Sequence, residues 1–243
     1  MGISSQPVFP VIGDLVGSRR SANRAAAQRA LWAALDHVND RVGFEQRLEP
    51  TVGDEFQGVF ATLGRAVVAV LLVRLSMPPG MDCRAGIGRG ELTVFDAGRR
   101  PVLQDGPAWW AARAAIAEVS ARATRPRHAF LRTWYCDAPA PPSGSGAPSG
   151  SGAASASSSG SAAASASSSG SGEQEWVNAF LICRDQMVER LNDSNRQLLA
   201  MALLGNTQAE MAAAQGVGQP AVSQRLASSG VNAIKDAHGL VRG

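Results

Sequence analysis

The chain has 243 residues, 45% of them hydrophobic, and a formal net charge of +3. That length holds one large domain or two small ones, and the apolar fraction can fill a core. The mild positive charge permits a nucleic-acid partner without requiring one, and the widely spaced Cys83, Cys136 and Cys183 exclude a disulfide framework or a zinc-ligand pattern.

The opening "MGISSQPVFP" has no basic segment ahead of an apolar core, so no signal peptide is expected. A short strand is expected over about 11–15. It begins after Pro10, because proline cannot donate in a central strand. A helix over about 21–42 follows, with Ala25, Leu31, Leu35 and Val38 on one face. A hairpin comes next, 44–52 and 55–60, turning at Gly53-Asp54. The helix over 63–76 stops before Pro78-Pro79. Its run "RAVVAVLLVRL" is too short to span a bilayer. A soluble, cytoplasmic protein with no membrane partner is therefore expected. Cys83 to Phe95 reads as one long strand or two short ones. A helix over 107–122 and a strand near 129–134 complete the first part. The implied class is α/β (α+β): a β-α-β-β-α-β, ferredoxin-like core with helices on one face of an antiparallel sheet.

From 138 to 172 the composition collapses to Ala, Gly, Pro and Ser, without charge. Such a segment cannot offset its ordering entropy and is expected to be a disordered linker. It divides the chain into residues 1–137 and 173–243. Beyond it, Trp176 to Leu191 reads as an amphipathic helix, with Trp176, Phe180, Met187 and Leu191 on a stripe. "RLND" (190–193) is either a cyclic-dinucleotide-type Arg-x-x-Asp or an i,i+3 ion pair.

Thr207 to Leu226, "TQAEMAAAQGVGQPAVSQRL", has helix-turn-helix spacing. Thr207 and Glu210 form a capping box, Gly216 suits a left-handed turn, and Pro220 fits the first turn of the second helix. Met211, Ala212, Ala221, Val222 and Leu226 should face inward. Gln219, Ser223, Gln224 and Arg225 should face outward, with Thr207, Gln208 and Pro220 at the helix starts, as a surface for double-stranded DNA. The alternative is a small structural bundle with a polar face. Residues 173–243 hold about as many acids as bases, so a monomer would bind weakly and a homodimer is expected.

Two stretches in the first part share a pattern: "VIGDLVGS" (11–18) and "TVGDEFQGVF" (51–60). On adjacent strands, Asp14 and Asp54 would repel unless compensated. Either each serves its turn, or the pair holds a divalent cation. Gly13 and Gly53 would then leave room for a phosphate. With "RAGIGRGEL" and "GPAWWAARAAI", these stretches occur in the order of a class III nucleotidyl cyclase domain. Over roughly residues 8–134 the chain more closely resembles the SatD family. The resemblance implies a nucleotidyl-cyclase-type core in which Asp14 and Asp54 hold Mg²⁺ with a nucleotide. Backbone of Leu15, Val16, Gly17 and Ser18 would cradle phosphates, and Arg113 would be catalytic if the domain is active. Two positions depart from the cyclase pattern. The base-selecting lysine falls on Pro50 and the ribose-orienting asparagine on Trp109. Proline offers no side-chain donor; tryptophan offers one N–H and a stacking face. Trp109 or Trp110 is then a stacking platform or core packing at a helix start.

Together these features imply a transcription regulator whose cyclase-like domain binds a nucleotide-type ligand or mediates dimerisation. The alternative is an active metal-dependent cyclase, or a related nucleotide-processing enzyme, with a regulatory C-terminal domain.

Overall fold

Phe9 to Leu15 alternates between two cores, and the rest of the N-terminal unit follows from that. The computed structural model describes residues 2–3, 6–17, 23–138 and 169–242. The chain opens with strands Gly2–Ile3 (β1) and Phe9–Leu15 (β2), then helix Arg24–Asn39 (α1), capped by the Asn23 side chain. Strands Gln46–Pro50 (β3) and Glu55–Phe60 (β4) form a hairpin, followed by helix Leu63–Leu75 (α2), capped by Thr62. Strands Cys83–Arg89 (β5), Thr93–Asp96 (β6) and Leu103–Asp105 (β7) come next, then helix Pro107–Ala123 (α3) and strand Thr133–Asp137 (β8).

A five-stranded sheet runs β3-β4-β2-β5-β8, and β1-β6-β7 form a small second sheet. The expected order is present, with β2 beside β4. Two expectations change and one alternative is resolved. The main sheet is mixed, because β8 runs parallel to β5. Cys83 to Phe95 is two strands in different sheets. Helices cover both faces: Val11 and Leu15 share a core with α1 and α2, while Ile12 packs under α3.

Pro10 lies inside β2 rather than ahead of it. The ladder with β5 skips it, leaving an isolated Val8–Gly90 bridge before pairing resumes at Val11–Ile87. The missing N–H thus falls at a gap in the ladder.

The alternation in "RAGIGRG" places Gly86 and Gly88 on one face of β5. A Cβ on either would collide with α3 backbone at Ala112. The helix therefore lies directly on the strand, with Ala108, Ala112 and Ala115 buried against it.

Beyond this unit lie helices Ser169–Glu189 (α4), Asp193–Leu203 (α5), Gln208–Gln215 (α6), Gln219–Ser228 (α7) and Val231–Arg242 (α8). Of the expected linker, 139–168 lie outside the described residues. Ala138 N–H donates to Arg89 O at 2.8 Å, and Ser169 to Gly172 belong to α4. "RLND" is a helix junction in which Asn192 caps α5.

The helical unit is docked onto the first unit in two ways. The outer side of α2 packs against α5 and α8, which leaves Ala66 to Val73 buried all round. A helix apolar on every side is buried on every side. The second contact is polar. The outer edge of β8 meets α4 instead of another strand. Asp137 N–H donates to Gln174 Oε1 (2.8 Å), Tyr135 N–H to Asn178 Oδ1 (2.9 Å), and Thr133 N–H to Asp185 Oδ2 (2.8 Å). Asn178 Nδ2 returns a bond to Tyr135 O at 2.8 Å. Side chains at i, i+4 and i+11 on one helix face thus satisfy an edge that would otherwise template further pairing. Beside them, buried Arg74 bridges Asp82 (2.9 Å), Asp185 (3.5 Å) and Glu189 (2.9 Å). Burial pulls its pKa down, but Asp82, Asp185 and Glu189 hold it above the usual arginine value.

Among the described residues no helix is long and apolar enough to cross a membrane. Burial also orders the thiols. Cys83 is buried and its pKa is driven far up, by burial first. Cys136 is pushed up to about 11 by burial, then by Glu118 and Asp137. Cys183 is exposed. Since the thiolate is the reactive form, a disulfide-exchange reagent at neutral pH should label Cys183 in the native protein and leave Cys83 untouched. Cys136 should react only as the pH approaches its raised pKa. Rapid native labelling of Cys83 would contradict the packing of β5.

Candidate functional site

The two Gly-Asp motifs meet at one end of the sheet, but their glycines do different work. Gly13 lies opposite Phe56 in the β2–β4 ladder, and a Cβ there would fall inside the Phe56 ring. The first glycine therefore admits a wholly buried aromatic ring and not a phosphate. Gly53 has φ +72° with open space around it, and its carbonyl accepts from Gln28 Nε2 at 2.9 Å. It is a turn residue in a conformation that favours glycine.

Asp14 lies opposite Glu55 on one side and Arg84 on the other. Arg84 takes both its oxygens, Nε to Oδ1 at 2.7 Å and Nη2 to Oδ2 at 3.0 Å. Arg113 on α3 reaches Glu55 at 3.6 Å and remains exposed. The result is a charged row, Arg84, Asp14, Glu55 and Arg113, on the α3 side of the sheet, with an arginine at each end and two carboxylates between. Asp54 occupies the turn just before Glu55. These residues do not fit a divalent cation: the Arg84 guanidinium already supplies, at both Asp14 oxygens, the positive charge a metal would bring. Among the described residues no group of three or more His, Cys, Asp or Glu could hold a metal ion. Sequence reasoning missed Arg84, because it faces Asp14 only once the β2–β5 register is fixed.

The phosphate-turn residues are also partly committed. Leu15 is buried in the α1–α2 core, and Val16 N–H donates to Asp82 O at 2.9 Å. Gly17 has φ +72°; Ser18 lies outside the described residues. Of the two tryptophans, Trp109 packs against the α3 cores, with Nε1 buried and no hydrogen-bond partner among the described residues. Trp110 presents the exposed ring and donates Nε1–H to Asp105 Oδ1 at 3.0 Å.

The second candidate surface lies on α6 and α7. Thr207 and Glu210 cap α6 reciprocally. Gly216 ends it in a left-handed conformation, φ 64° and ψ 30°, and Pro220 sits in the first turn of α7. Met211, Ala212, Val222 and Leu226 are buried. Thr207, Gln208, Gln219, Pro220, Ser223 and Gln224 are exposed. Arg225 departs from expectation: it is half-buried and donates Nη1–H to Ser194 Oγ on α5 at 2.9 Å. It ties α7 to α5 and does not join the outward row.

The SatD family profile matches residues 8–124. No curated protein matches the chain. Among solved structures, the guanylate cyclase domain of RhGC from Catenaria anguillulae in complex with GTP is similar. It shows 18% identity over 46% of this chain and 72% of that chain, with TM-score 0.38. The guanylyl cyclase Cya2 gives 16%, 49%, 73% and 0.39 in the same order. The adenylyl cyclase CyaB from P. aeruginosa gives 15%, 46%, 72% and 0.36.

Proposed function

We propose that the chain is a DNA-binding transcription regulator. In this reading α6 and α7 form a helix-turn-helix that enters the major groove, and the N-terminal unit binds a nucleotide-type ligand or pairs two copies. The observation that carries the reading is the α6–α7 turn. A capped helix, a left-handed Gly216 and a proline-started second helix hold a buried pin of four apolar side chains. They leave Gln219, Ser223 and Gln224 exposed together. Glutamine and serine side chains pair with base edges in that groove.

The test is capture of genomic DNA fragments by the full-length chain, with and without ATP or GTP, followed by sequencing. Enrichment of a two-fold-symmetric motif is expected. No enrichment in any condition overturns the reading. On an enriched site, Gln224→Ala should weaken binding by about 1–3 kcal/mol and relax preference at one base position. Its melting temperature should not change, because Gln224 is exposed. Arg225→Ala should instead lower stability through the lost Ser194 contact.

A further inference from the structure

We infer that the N-terminal unit supplies the cations that hold the DNA backbone, through Arg41 and Arg65. This inference rests on the DNA-binding reading above and names a second part of the same surface. Duplex DNA is held largely by neutralising phosphates, and the helices that would read it are short of free positive charge. Across α5, α6 and α7 the basic side chains are Arg196 and Arg225. Arg196 donates Nε–H to Leu191 O at 3.2 Å and faces Glu189 at 3.8 Å. Arg225 is committed to Ser194.

The missing charge lies across the junction. A cleft of about 400 Å³ opens between the end of α1, the start of α2 and the end of α5, lined by Arg41, Thr62, Arg65, Leu203 and Leu204 among others. Both arginines are exposed, and neither is ion-paired among the described residues. Each is nevertheless placed. Arg41 Nη1 donates to His37 O at 2.9 Å, which leaves the rest of its guanidinium open. Arg65 lies over Gly43, its Nη1 3.3 Å from where a Cβ would be. Both residues line the cleft. Leu204 lines the same cleft, and three residues later Thr207 caps α6. Three trans peptide steps span at most about 11 Å. The exposed start of α6, at Thr207 and Gln208, thus lies within that reach of the cleft. A DNA strand passing that helix start would meet both arginines. Because they touch phosphate and not bases, they should add affinity without sequence preference.

The experiment uses the full-length chain and a random-sequence duplex, with affinity read by fluorescence anisotropy over a series of KCl concentrations. The double variant Arg41→Gln/Arg65→Gln should lower the salt slope by about 2. It should weaken binding roughly a hundredfold near 0.1 M salt. The same factor should appear on random and enriched duplexes. The double variant Arg41→Lys/Arg65→Lys should keep the slope. Arg99→Gln, an exposed arginine outside the cleft, should change nothing. If the glutamine pair leaves slope and affinity intact while Gln224→Ala still weakens specific binding, the inference falls and the DNA reading stands. If the wild type binds no duplex at the lowest salt, both fall.

Discussion

Alanine at Gly88 should cost the N-terminal unit at least about 3 kcal/mol, from a change of one methyl group. The added Cβ would overlap the Ala108 carbonyl and the Ala112 amide of α3. These are backbone atoms, and no rotamer change can relieve the overlap. The helix would have to lift off β5, opening the core that contains Ile12, Ala112, Ala115 and Ile116. Gly86→Ala should behave similarly, because its Cβ meets Ala112 O and Ala115 C at 2.6 and 2.8 Å. Gly80→Ala is the contrast. That glycine has open space around it and only the strain of φ +80° to lose, so its cost should stay near 1 kcal/mol. Urea unfolding of the three variants gives the comparison. Midpoints for Gly88→Ala and Gly80→Ala that fall together would mean that α3 does not lie on β5 as described.

The second large effect is expected at Asp185, which is fully buried. Its Oδ2 accepts from the backbone N–H groups of Arg132 and Thr133, both at 2.8 Å. Its Oδ1 accepts from Arg184 Nη2 at 2.7 Å and faces Arg74 Nη1 at 3.5 Å. Asp185→Ala leaves two strand-edge donors and two buried guanidiniums short of a partner. Removing one member of a buried charged network costs about 3–5 kcal/mol. The loss falls on the junction between the two units, so the variant should melt in two steps where the wild type melts in one. Asp185→Asn keeps an acceptor but loses the charge, and should fall between the two. A single cooperative transition for Asp185→Ala, shifted by less than 1 kcal/mol, would show that the α2–α5–α8 contact alone holds the units together.

What could be read in advance follows physical range. Local signals were legible: the Thr207–Glu210 box, the Gly216 turn and the stop of α2 before Pro78-Pro79. All are set by residues within a few positions of each other. Partners across the sheet were not. Nothing within a few residues of Asp14 announces Arg84, and nothing near Gly13 announces Phe56. Both depend on strand register. Two longer-range signals were present and unused. The run from Ala66 to Val73 is apolar on every side, which already requires cover on the face away from the sheet. Gln174, Asn178, Leu181, Asp185 and Val188 repeat at helical spacing and mark a contact face of mixed polarity. Of the stripe read from Trp176, Leu191 is buried and Phe180 and Met187 pack against the core, while Trp176 itself is exposed. Reading Arg225 as outward failed for a related reason: its partner Ser194 lies on another helix, beside the apolar contact of Val222 and Leu226.

The bond from Asp137 to Gln174 joins the last strand of one unit to the first helix of the other. Both partners belong to one chain, so the two units meet as parts of a single molecule. Their docking is then governed by an effective concentration and not by how much protein is present. A chain cut between residues 138 and 169 would keep every contact described in both units, yet its halves would part on dilution where the intact chain would not.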